Sequence, residues 1–344
     1  MANSTTMFTA TDIKAMYVLG DSTVDCGENT LFFPYLLHNM SLHPCEGPPS
    51  YNIVPHLLAK KIGLSYPIPF YRQNGSADVL QLGVNLGSTG ATIMSNPTNP
   101  VLRSLNQQLR QAFEIFQLLQ LELGQETAND FIQSSTLFYL SFGKDDYVDL
   151  FRGTNAKDPE SNAEKLSRVL VDQMTNAIQY LYGSSVRKFV LMGVPPLGCT
   201  PRFLHSIKDS ENDGLHGDRV VCADDINNFV LEYNAFLEQR IVRLNMELAG
   251  AQLIFCDVYR AIMEIINNPD TYGINNVKNA CCGVGMSGCM SMTMACADPS
   301  AYVWWDLYNP GHVVSSLITD SVWSGENLQD ICHPTTVQKL VSPK

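Results

Sequence analysis

The sequence predicts an α/β protein in which helices cover both faces of a central parallel sheet. Short apolar runs flanked by Gly or Asp occur at 15–20, 136–143, 187–193 and 251–257. Runs of this kind are typical of buried parallel strands. Longer segments with apolar residues every three or four positions separate them, so strands and helices alternate. This order predicts three layers, α/β/α, with ligands bound at the carboxyl ends of the strands.

The clearest helical pattern predicts a helix that packs its apolar stripe into the core and does not use it to bind lipid. The stripe consists of Leu105, Leu109, Phe113, Phe116, Leu119 and Leu123. Two further helices are expected, at 163–182 and at about 223–248. No linker, charge block or repeat divides the 344 residues. We therefore expect a single domain over 1–344, with its core at about 15–325.

The charge of the chain excludes several classes of partner. The net charge is -12 and the sequence pI is about 4.9, with no local Lys/Arg cluster. Such a chain lacks the basic surface that nucleic acids require and would be repelled by an anionic membrane. No apolar run approaches the roughly 18 to 20 residues that span a bilayer. We expect no nucleic-acid partner and no stable membrane insertion, and the oligomeric state is left open.

The cysteine content favours an oxidising compartment. Four of the ten cysteines lie in a Gly/Ser/Met-rich stretch, namely Cys281, Cys282, Cys289 and Cys296. Disulfides are favoured over a zinc site because CxxC spacing and a nearby His are missing. Glycosylation sequons begin at Asn3, Asn39 and Asn74. Residues 1–14 contain no apolar segment, so either a signal peptide was trimmed or the protein is intracellular. We expect a secreted glycoprotein with a trimmed signal peptide, because only a short polar lead-in precedes the first predicted strand at about Ala15.

A serine follows the first predicted strand directly, within Gly20-Asp21-Ser22-Thr23-Val24-Asp25. At a strand-to-helix turn, a serine hydroxyl is raised into the cleft beside amide groups that stabilise negative charge. This placement suits a nucleophile. An ordinary helix N-cap is the equally weighted alternative, because Ser and Asp are favoured there.

Four sequence blocks carry a resemblance to a known family. The first contains Gly20, Asp21, Ser22, Asp25, Gly27 and Asn29; the second spans 85–92; the third spans 141–147; the last is Asp306-Leu-Tyr-Asn309-Pro. Further landmarks are at 195–201 and 280–283. The chain resembles the plant GDSL esterase/lipase family of SGNH hydrolases, and the blocks occur in the family order. The resemblance implies a three-layer SGNH-hydrolase fold of flavodoxin-like type.

The resemblance also implies site residues and a substrate class. Ser22 would be the nucleophile and Asp306 the residue that orients a catalytic histidine. The oxyanion hole would use the backbone N–H groups of Ser22 and Gly90. Three carboxylates, Asp21, Asp25 and Asp146, would support these residues. The implied ligand is a small-molecule ester or a lipid-like molecule, such as a lipid or plant-metabolite ester, and the implied chemistry needs no metal and no organic cofactor.

Two positions depart from the family pattern. Asn309 stands where the resemblance implies the catalytic histidine, and an amide cannot take a proton near neutral pH. Asp145 stands where it implies the oxyanion-hole asparagine, and an ionised side chain would oppose a developing oxyanion. Loss of the base costs on the order of 10⁶ in kcat and loss of one oxyanion donor on the order of 10² to 10³. We expect ordinary Ser-His-Asp hydrolysis to be weak or absent.

Several alternatives follow from these departures. His312 is a weak candidate for a substitute base, because Asn309-Pro310 reads as an N-cap and first helical residue that would place His312 in the first turn. Asp145 could be a neutral donor near Asp306 or Asp146, a general base, or a carboxylate bound to backbone amides. The protein would then be a hydrolase with a rearranged site, a silent ligand- or partner-binding relative, or a catalyst of non-hydrolytic chemistry. The other histidines, 38, 43, 56, 205, 216 and 333, occur in no recognised motif.

Overall fold

A computed structural model describes residues 11–25, 53–94, 103–152, 159–210, 221–284, 288–289, 292–328 and 330–343. Several positions singled out in the sequence lie outside these ranges, and nothing is said of their structure. They are Asn3, Gly27, Asn29, His38, Asn39, His43 and His216.

The central sheet has seven strands in the order β2-β3-β1-β4-β5-β6-β9. The strands are β1 (Ala15–Gly20), β2 (Ile68–Pro69), β3 (Val84–Asn85), β4 (Thr136–Ser141), β5 (Lys188–Met192), β6 (Gln252–Cys256) and β9 (Cys332–His333). All neighbouring pairs are parallel except β6 and β9. The prediction of a parallel sheet is therefore confirmed for the four predicted strands, β1, β4, β5 and β6. Strands β2 and β3 extend the parallel part, and the prediction is corrected at the other edge, where β9 is antiparallel and too short to leave an apolar run in the sequence.

A second, two-stranded parallel sheet lies outside the central one. It consists of β7 (Asn276–Ala280) and β8 (Tyr302–Trp304). Polar and partly exposed residues dominate β7, so it lacks the apolar pattern by which the central strands were predicted.

Helices cover both faces of the central sheet, as predicted. They are α1 (Val54–Ile62), α2 (Ala77–Leu80), α3 (Leu105–Leu123), α4 (Gln125–Ser135), α5 (Lys144–Arg152), α6 (Pro159–Gly183), α7 (Pro201–Ser210), α8 (Asp224–Glu247), α9 (Val258–Asn267), α10 (His312–Ser324) and α11 (Val337–Val341). One core contains buried residues of α3, α4, α6 and α8, and the other contains those of α1, α9, α10 and α11.

Strand β1 shows why both faces must be covered. Ala15, Tyr17 and Leu19 point into the core with α3 and α6, whereas Met16 and Val18 point into the core with α9 and α10. Side chains alternate between the faces of a strand, and all five of these are fully buried. An apolar run without polar alternation is the pattern of a strand that is buried on both sides.

The apolar stripe of α3 is confirmed as core packing. Its residues belong to or pack against the core on one face of the sheet. A capping box begins the helix, because the Ser104 hydroxyl accepts from the Gln107 backbone N–H and the Gln107 side chain accepts from the Ser104 N–H.

The cysteines expected to form disulfides do so. Cys281 pairs with Cys296 and Cys282 with Cys289, which excludes the zinc alternative for these four thiols. Two more disulfides join Cys199 to Cys222 and Cys256 to Cys332. Within the described ranges, no group of three or more His, Cys, Asp or Glu side chains could hold a metal ion. None of the described helices is long and apolar enough to cross a bilayer.

The sheet order locates the crevice in which a ligand would bind. Strand β1 pairs with β3 on one side and with β4 on the other. After β1, the chain forms β2 and β3 on one side of β1 and then forms β4, β5 and β6 on the other side, as in flavodoxin-like sheets. Such a switch point opens a crevice at the carboxyl ends of the two central strands. Ser22 follows β1 and Lys144 follows β4 at this crevice.

Candidate active site

The turn after β1 presents Ser22 at the carboxyl end of the sheet. The Asp21 carboxylate accepts from the Thr23 backbone N–H (3.0 Å) and hydroxyl (2.8 Å), which closes the turn. A side chain at Gly20 would place its Cβ 2.5 Å from the Ser141 carbonyl oxygen, so only glycine allows β1 and β4 to approach here. This close approach brings the residues that follow the two strands together.

The Ser22 hydroxyl has two partners, and neither is an imidazole. It donates to Asp145 Oδ1 at 2.8 Å and accepts from the Lys144 ammonium. In the part of the chain that the structure describes, no histidine contacts this hydroxyl, and the described turn gives no sign that Ser22 caps a helix. Sequence reasoning missed Lys144, although its position inside the third block, directly before Asp145, was a usable signal.

Lys144 directs its buried ammonium at three oxygen atoms. Besides Ser22 Oγ, these are Asn309 Oδ1 at 2.9 Å and Asp145 Oδ1 at 3.2 Å. Burial alone would lower the pKa of Lys144, but the surrounding carboxylates, led by Asp145 and followed by Asp21 and Asp306, raise the pKa above its usual value. Lys144 is therefore an ammonium at neutral pH, and an ammonium donates hydrogen bonds without accepting any.

Asp306 orients residue 309, as the resemblance implies, but that residue is an asparagine. Asp306 Oδ1 accepts from the backbone N–H groups of Tyr308 (2.8 Å) and Asn309 (2.6 Å). Its Oδ2 accepts from Asn309 Nδ2 at 3.0 Å, which leaves the amide oxygen of Asn309 facing Lys144. The result is a continuous chain of contacts from Asp306 through Asn309 and Lys144 to Ser22.

The carboxylate of Asp145 binds the two backbone N–H groups that the resemblance assigns to the oxyanion hole. Its Oδ2 accepts from the Ser22 N–H at 3.1 Å and from the Gly90 N–H at 2.9 Å. Gly90 has a φ of +73°, in the left-handed region that glycine adopts most readily. With Ser22 Oγ and Lys144 on Oδ1, every contact of this carboxyl is with a donor. The arrangement is that of a carboxylate bound to backbone amides, and no hydrogen bond joins Asp145 to Asp306 or Asp146.

Two of the expected supporting carboxylates hold the loops around Ser22. Asp25 accepts from the backbone N–H (2.8 Å) and hydroxyl (2.7 Å) of Thr89, next to Gly90. Asp21 accepts from the N–H of Lys144 at 3.0 Å, the first residue of α5. Burial raises the pKa of Asp21 to about 6, and Asp145 adds to the shift while Lys144 and Thr23 oppose it.

Asp146 binds the chain directly after the second block. It accepts from the backbone N–H groups of Ile93 (3.0 Å) and Met94 (3.3 Å). Burial raises the pKa of Asp146 to about 8; Asp21 and Asp145 add to the rise, and the two backbone hydrogen bonds oppose it. Asp146 therefore fixes the chain that follows Gly90 but does not contact Ser22.

His312 is near the site without reaching the nucleophile. It is the first residue of α10, whose N-cap is Gly311 and not Asn309 as the sequence suggested. His312 shares a pocket with Ser22, but no hydrogen bond joins the two side chains. Burial lowers the pKa of His312, opposed by Asp298, so the imidazole is neutral at pH 7. The structure thus gives no support to a direct replacement of the missing base by His312.

A narrow pocket, with about 60 Å³ of space accessible to a water-sized molecule, begins at Ser22. It continues between the ends of β4 and β5 on one side and α9 and α10 on the other. Apolar side chains dominate its lining and include Tyr139, Met192, Val258, Ile262, Trp305 and Ile318. Asn309 is also in the lining, whereas Asp145 and Asp306 are not. The lining is therefore mainly apolar, with a few polar groups close to Ser22.

Comparisons with known proteins agree with the family resemblance that the sequence blocks indicate. The family model of GDSL-like lipases and acylhydrolases matches residues 16–336. A GDSL esterase/lipase of Arabidopsis thaliana is 28% identical over 95% of this chain and 89% of the relative. Another from the same plant is 29% identical, covering 91% of both chains.

One solved structure was also similar along most of the chain. It is an α/β hydrolase enzyme from the metagenome of Lake Arreo, Spain, at 12% identity, covering 89% of this chain and 92% of the other. The TM-score is 0.36, which is too low to support a shared fold.

Proposed function

This chain belongs to the GDSL-like lipase/acylhydrolase family, and from that premise we propose that it is an ester-hydrolase-like protein with little or no Ser-His-Asp hydrolysis. In this proposal, the pocket beside Ser22 binds a lipid-like ester or a similar apolar molecule. The observation that carries the proposal is the pair of partners on the Ser22 hydroxyl, an ammonium and a carboxylate in place of an imidazole.

The first step of ester hydrolysis would lack an adequate base. Attack on a carbonyl requires that the Ser22 proton move to an acceptor. Lys144 is protonated and can only donate, and Asn309 carries an amide. The Asp145 carboxylate does accept from the hydroxyl, but the N–H groups of Ser22 and Gly90 and the Lys144 ammonium already bind its two oxygens.

The second requirement, a site for the oxyanion, is also unmet. The N–H groups of Ser22 and Gly90 already bind Asp145 Oδ2. The repulsion between an oxyanion and a carboxylate about 4 Å away is about 4 kcal/mol at an effective dielectric constant of about 20, and the Lys144 ammonium offsets part of it. Without that offset, the repulsion corresponds to about a 10³-fold loss of rate. Both defects act at Ser22, and each alone would make hydrolysis slow.

Altered chemistry at Asp145 and Asp306 has less support than ligand binding. Neither carboxylate lines the pocket, and both are engaged by several hydrogen-bond donors. A bound molecule would meet Ser22, Asn309 and apolar side chains first. The geometry therefore favours a binding pocket over a new active centre.

Hydrolysis of p-nitrophenyl acetate and p-nitrophenyl decanoate tests the loss of catalysis. We expect wild type and Ser22→Ala to give the same background rate at pH 7.5. Turnover by wild type that disappears in Ser22→Ala would mean that Ser22 is an active nucleophile, and the proposal would be wrong.

Calorimetric titration with 1-decanol tests the binding pocket. We expect Ile53→Trp, which narrows the pocket at a partly exposed position, to weaken binding at least about tenfold, or 1.4 kcal/mol. Val242→Trp is the matched control, because Val242 is 56% exposed on α8 and outside the pocket. Absence of binding to wild type, or equal weakening by both variants, would contradict a ligand site here.

We also propose that the protein follows the secretory route. Four disulfides support this, because such bonds persist in oxidising compartments. Asn74, in the Asn-Gly-Ser sequon, is exposed and therefore open to glycosylation. The protein expressed in plant cells should carry a glycan on Asn74 that endoglycosidase removes. The Asn74→Gln variant should lack this glycan. An unmodified Asn74 in protein recovered from the secretory pathway would contradict the predicted glycosylation. Reduced cysteines would contradict the proposed secretory route.

A further inference from the structure

The N–H groups of Ser22 and Gly90 and the ammonium of Lys144 form an anion-binding cluster, here named the anion cradle. The two amides converge on one oxygen of Asp145, and the ammonium is 3.2 Å from the other. Backbone amides and an ammonium arranged in this way bind a carboxylate through charge-assisted hydrogen bonds. In this protein the bound carboxylate is a side chain of the protein itself.

We propose that Asp145 determines the ligand class of the neighbouring pocket, so that wild type binds neutral apolar molecules and rejects carboxylates. This inference rests on the proposed binding function and deepens it. A fatty acid, the product of hydrolysis of a fatty ester, has the same head group that Asp145 already places in the anion cradle. The internal carboxylate has no translational entropy to lose, so a dissolved one cannot compete with it efficiently.

The charges around Ser22 oppose a second anion as well. The three contacts of the Lys144 ammonium, to Ser22, Asn309 and Asp145, match the three N–H donors of an ammonium. No donor of Lys144 remains for a ligand carboxylate. Asp25 lines the pocket and adds a further acidic group near its polar end. A neutral alcohol or ester meets none of this repulsion.

Shortening Asp145 would turn the anion cradle into an open site. The Asp145 side chain retains 10% of its accessible surface, and Ser22 is part of both the anion cradle and the pocket lining. Removal of the carboxylate therefore leaves two amides and an ammonium facing a space that adjoins the pocket. Buried donors without acceptors are costly, so this space should take up a carboxylate from the ligand.

Calorimetric titrations with 1-decanol and with decanoate at pH 7.5 test the proposal. Wild type should bind decanol at least about tenfold more tightly than decanoate, which is 1.4 kcal/mol. Asp145→Ala should gain at least tenfold in affinity for decanoate while its affinity for decanol changes little. Asp145→Ala combined with Lys144→Met should lose that gain, because the ammonium supplies the attraction. Asp149→Ala is the matched control, since Asp149 is exposed on the same helix.

Asp145→Asn covers the case in which the alanine variant does not fold. The amide keeps an oxygen for Ser22 and Gly90 but removes the negative charge, so the preference for decanol over decanoate should shrink. Equal affinities of wild type for the two ligands, or the same preference in wild type and in the folded Asp145 variants, would overturn the proposal. Failure of decanol to bind wild type would instead contradict the proposed binding function.

Discussion

At the scale of single residues, Lys144 decides what Ser22 can do. Its ammonium contacts Ser22 Oγ and Asn309 Oδ1 and so lies between the nucleophile position and residue 309. An imidazole at 309 would have to reach Ser22 through the same space. Where the resemblance implies a histidine, this chain has Asn309, and the buried ammonium of Lys144 lies between Asn309 and Ser22. The carboxylate of Asp145 balances the charge of Lys144.

This geometry predicts that two reversions are not enough to restore hydrolysis. Asn309→His with Asp145→Asn supplies a base and an oxyanion donor. Lys144 would still separate the imidazole from Ser22, and its ammonium would have lost the carboxylate of Asp145 as a partner. Adding Lys144→Ala should raise p-nitrophenyl acetate hydrolysis at least about 10²-fold over wild type, the lower range for general base catalysis. The measurement is kcat/KM for wild type and for the double and triple variants.

Ser22→Ala in the triple background is the control, and it should abolish the gain. A triple variant no faster than wild type, with an unchanged melting temperature, would show that the defect is elsewhere. Full restoration by the double variant would show that Lys144 does not block the base.

At the scale of elements, the site is assembled by the start of α5 and the two loops packed against it. Asp21 binds the first N–H of α5, and Asp146 in the first turn binds the chain after Gly90. These contacts connect the first, second and third sequence blocks around the end of β1. The three blocks therefore hold one another in place, with Asp25 on Thr89 and Asp145 on Gly90 as further links.

The pKa of Asp146 predicts a pH-dependent contribution of this junction to stability. The carboxyl has a pKa of about 8 in the folded protein, whereas the ordinary value in an unfolded chain is about 4. The folded form therefore retains a proton that the unfolded form has lost, and stability falls as pH rises from about 4 towards 8. The slope is at most about 1.4 kcal/mol per pH unit for one group.

Urea denaturation of wild type and Asp146→Asn between pH 5 and 8 measures this contribution. The asparagine amide is neutral throughout and still accepts from Ile93 and Met94. The free energy of unfolding of the variant, minus that of wild type, should therefore increase as pH rises. A difference between the two proteins that does not depend on pH would contradict the proton held by Asp146.

The pattern of apolar runs was sufficient to predict the four long central strands and the three long helices of the sequence analysis. It could not predict β2, β3 or β9, because two residues are too few to show any periodicity. At the site, sequence blocks predicted Ser22, Gly90, Asp145 and Asp306 as neighbours. The position of Lys144 in the third block indicates that it is near the site, but its contact with Ser22 depends on the direction of a long side chain, which no spacing in the sequence specifies.

At the scale of the whole molecule, disulfides join segments that are distant in the chain. Cys256 and Cys332 connect β6 to the antiparallel edge strand β9 across 76 residues, whereas Cys282 and Cys289 are only 7 apart. A disulfide restricts the unfolded chain more when it closes a longer loop. The edge of the sheet should therefore depend strongly on the longer link.

Paired serine substitutions test this difference. Replacing Cys256 and Cys332 should lower the free energy of unfolding by about 4.5 kcal/mol, and replacing Cys282 and Cys289 by about 2.5 kcal/mol, from loop entropy. Urea denaturation at 25 °C with the remaining disulfides intact gives both values. A larger loss from the short loop would show that native packing, and not loop length, dominates.

The state of the Ser22 hydroxyl can be measured directly with a fluorophosphonate probe and intact-protein mass spectrometry. Such probes form a covalent bond with serines that a neighbouring base activates. With Lys144 as an ammonium and Asp145 in the oxyanion position, wild type should remain unlabelled at pH 7.5 while a serine esterase control is labelled completely. Stoichiometric labelling of wild type that is lost in Ser22→Ala would contradict the account.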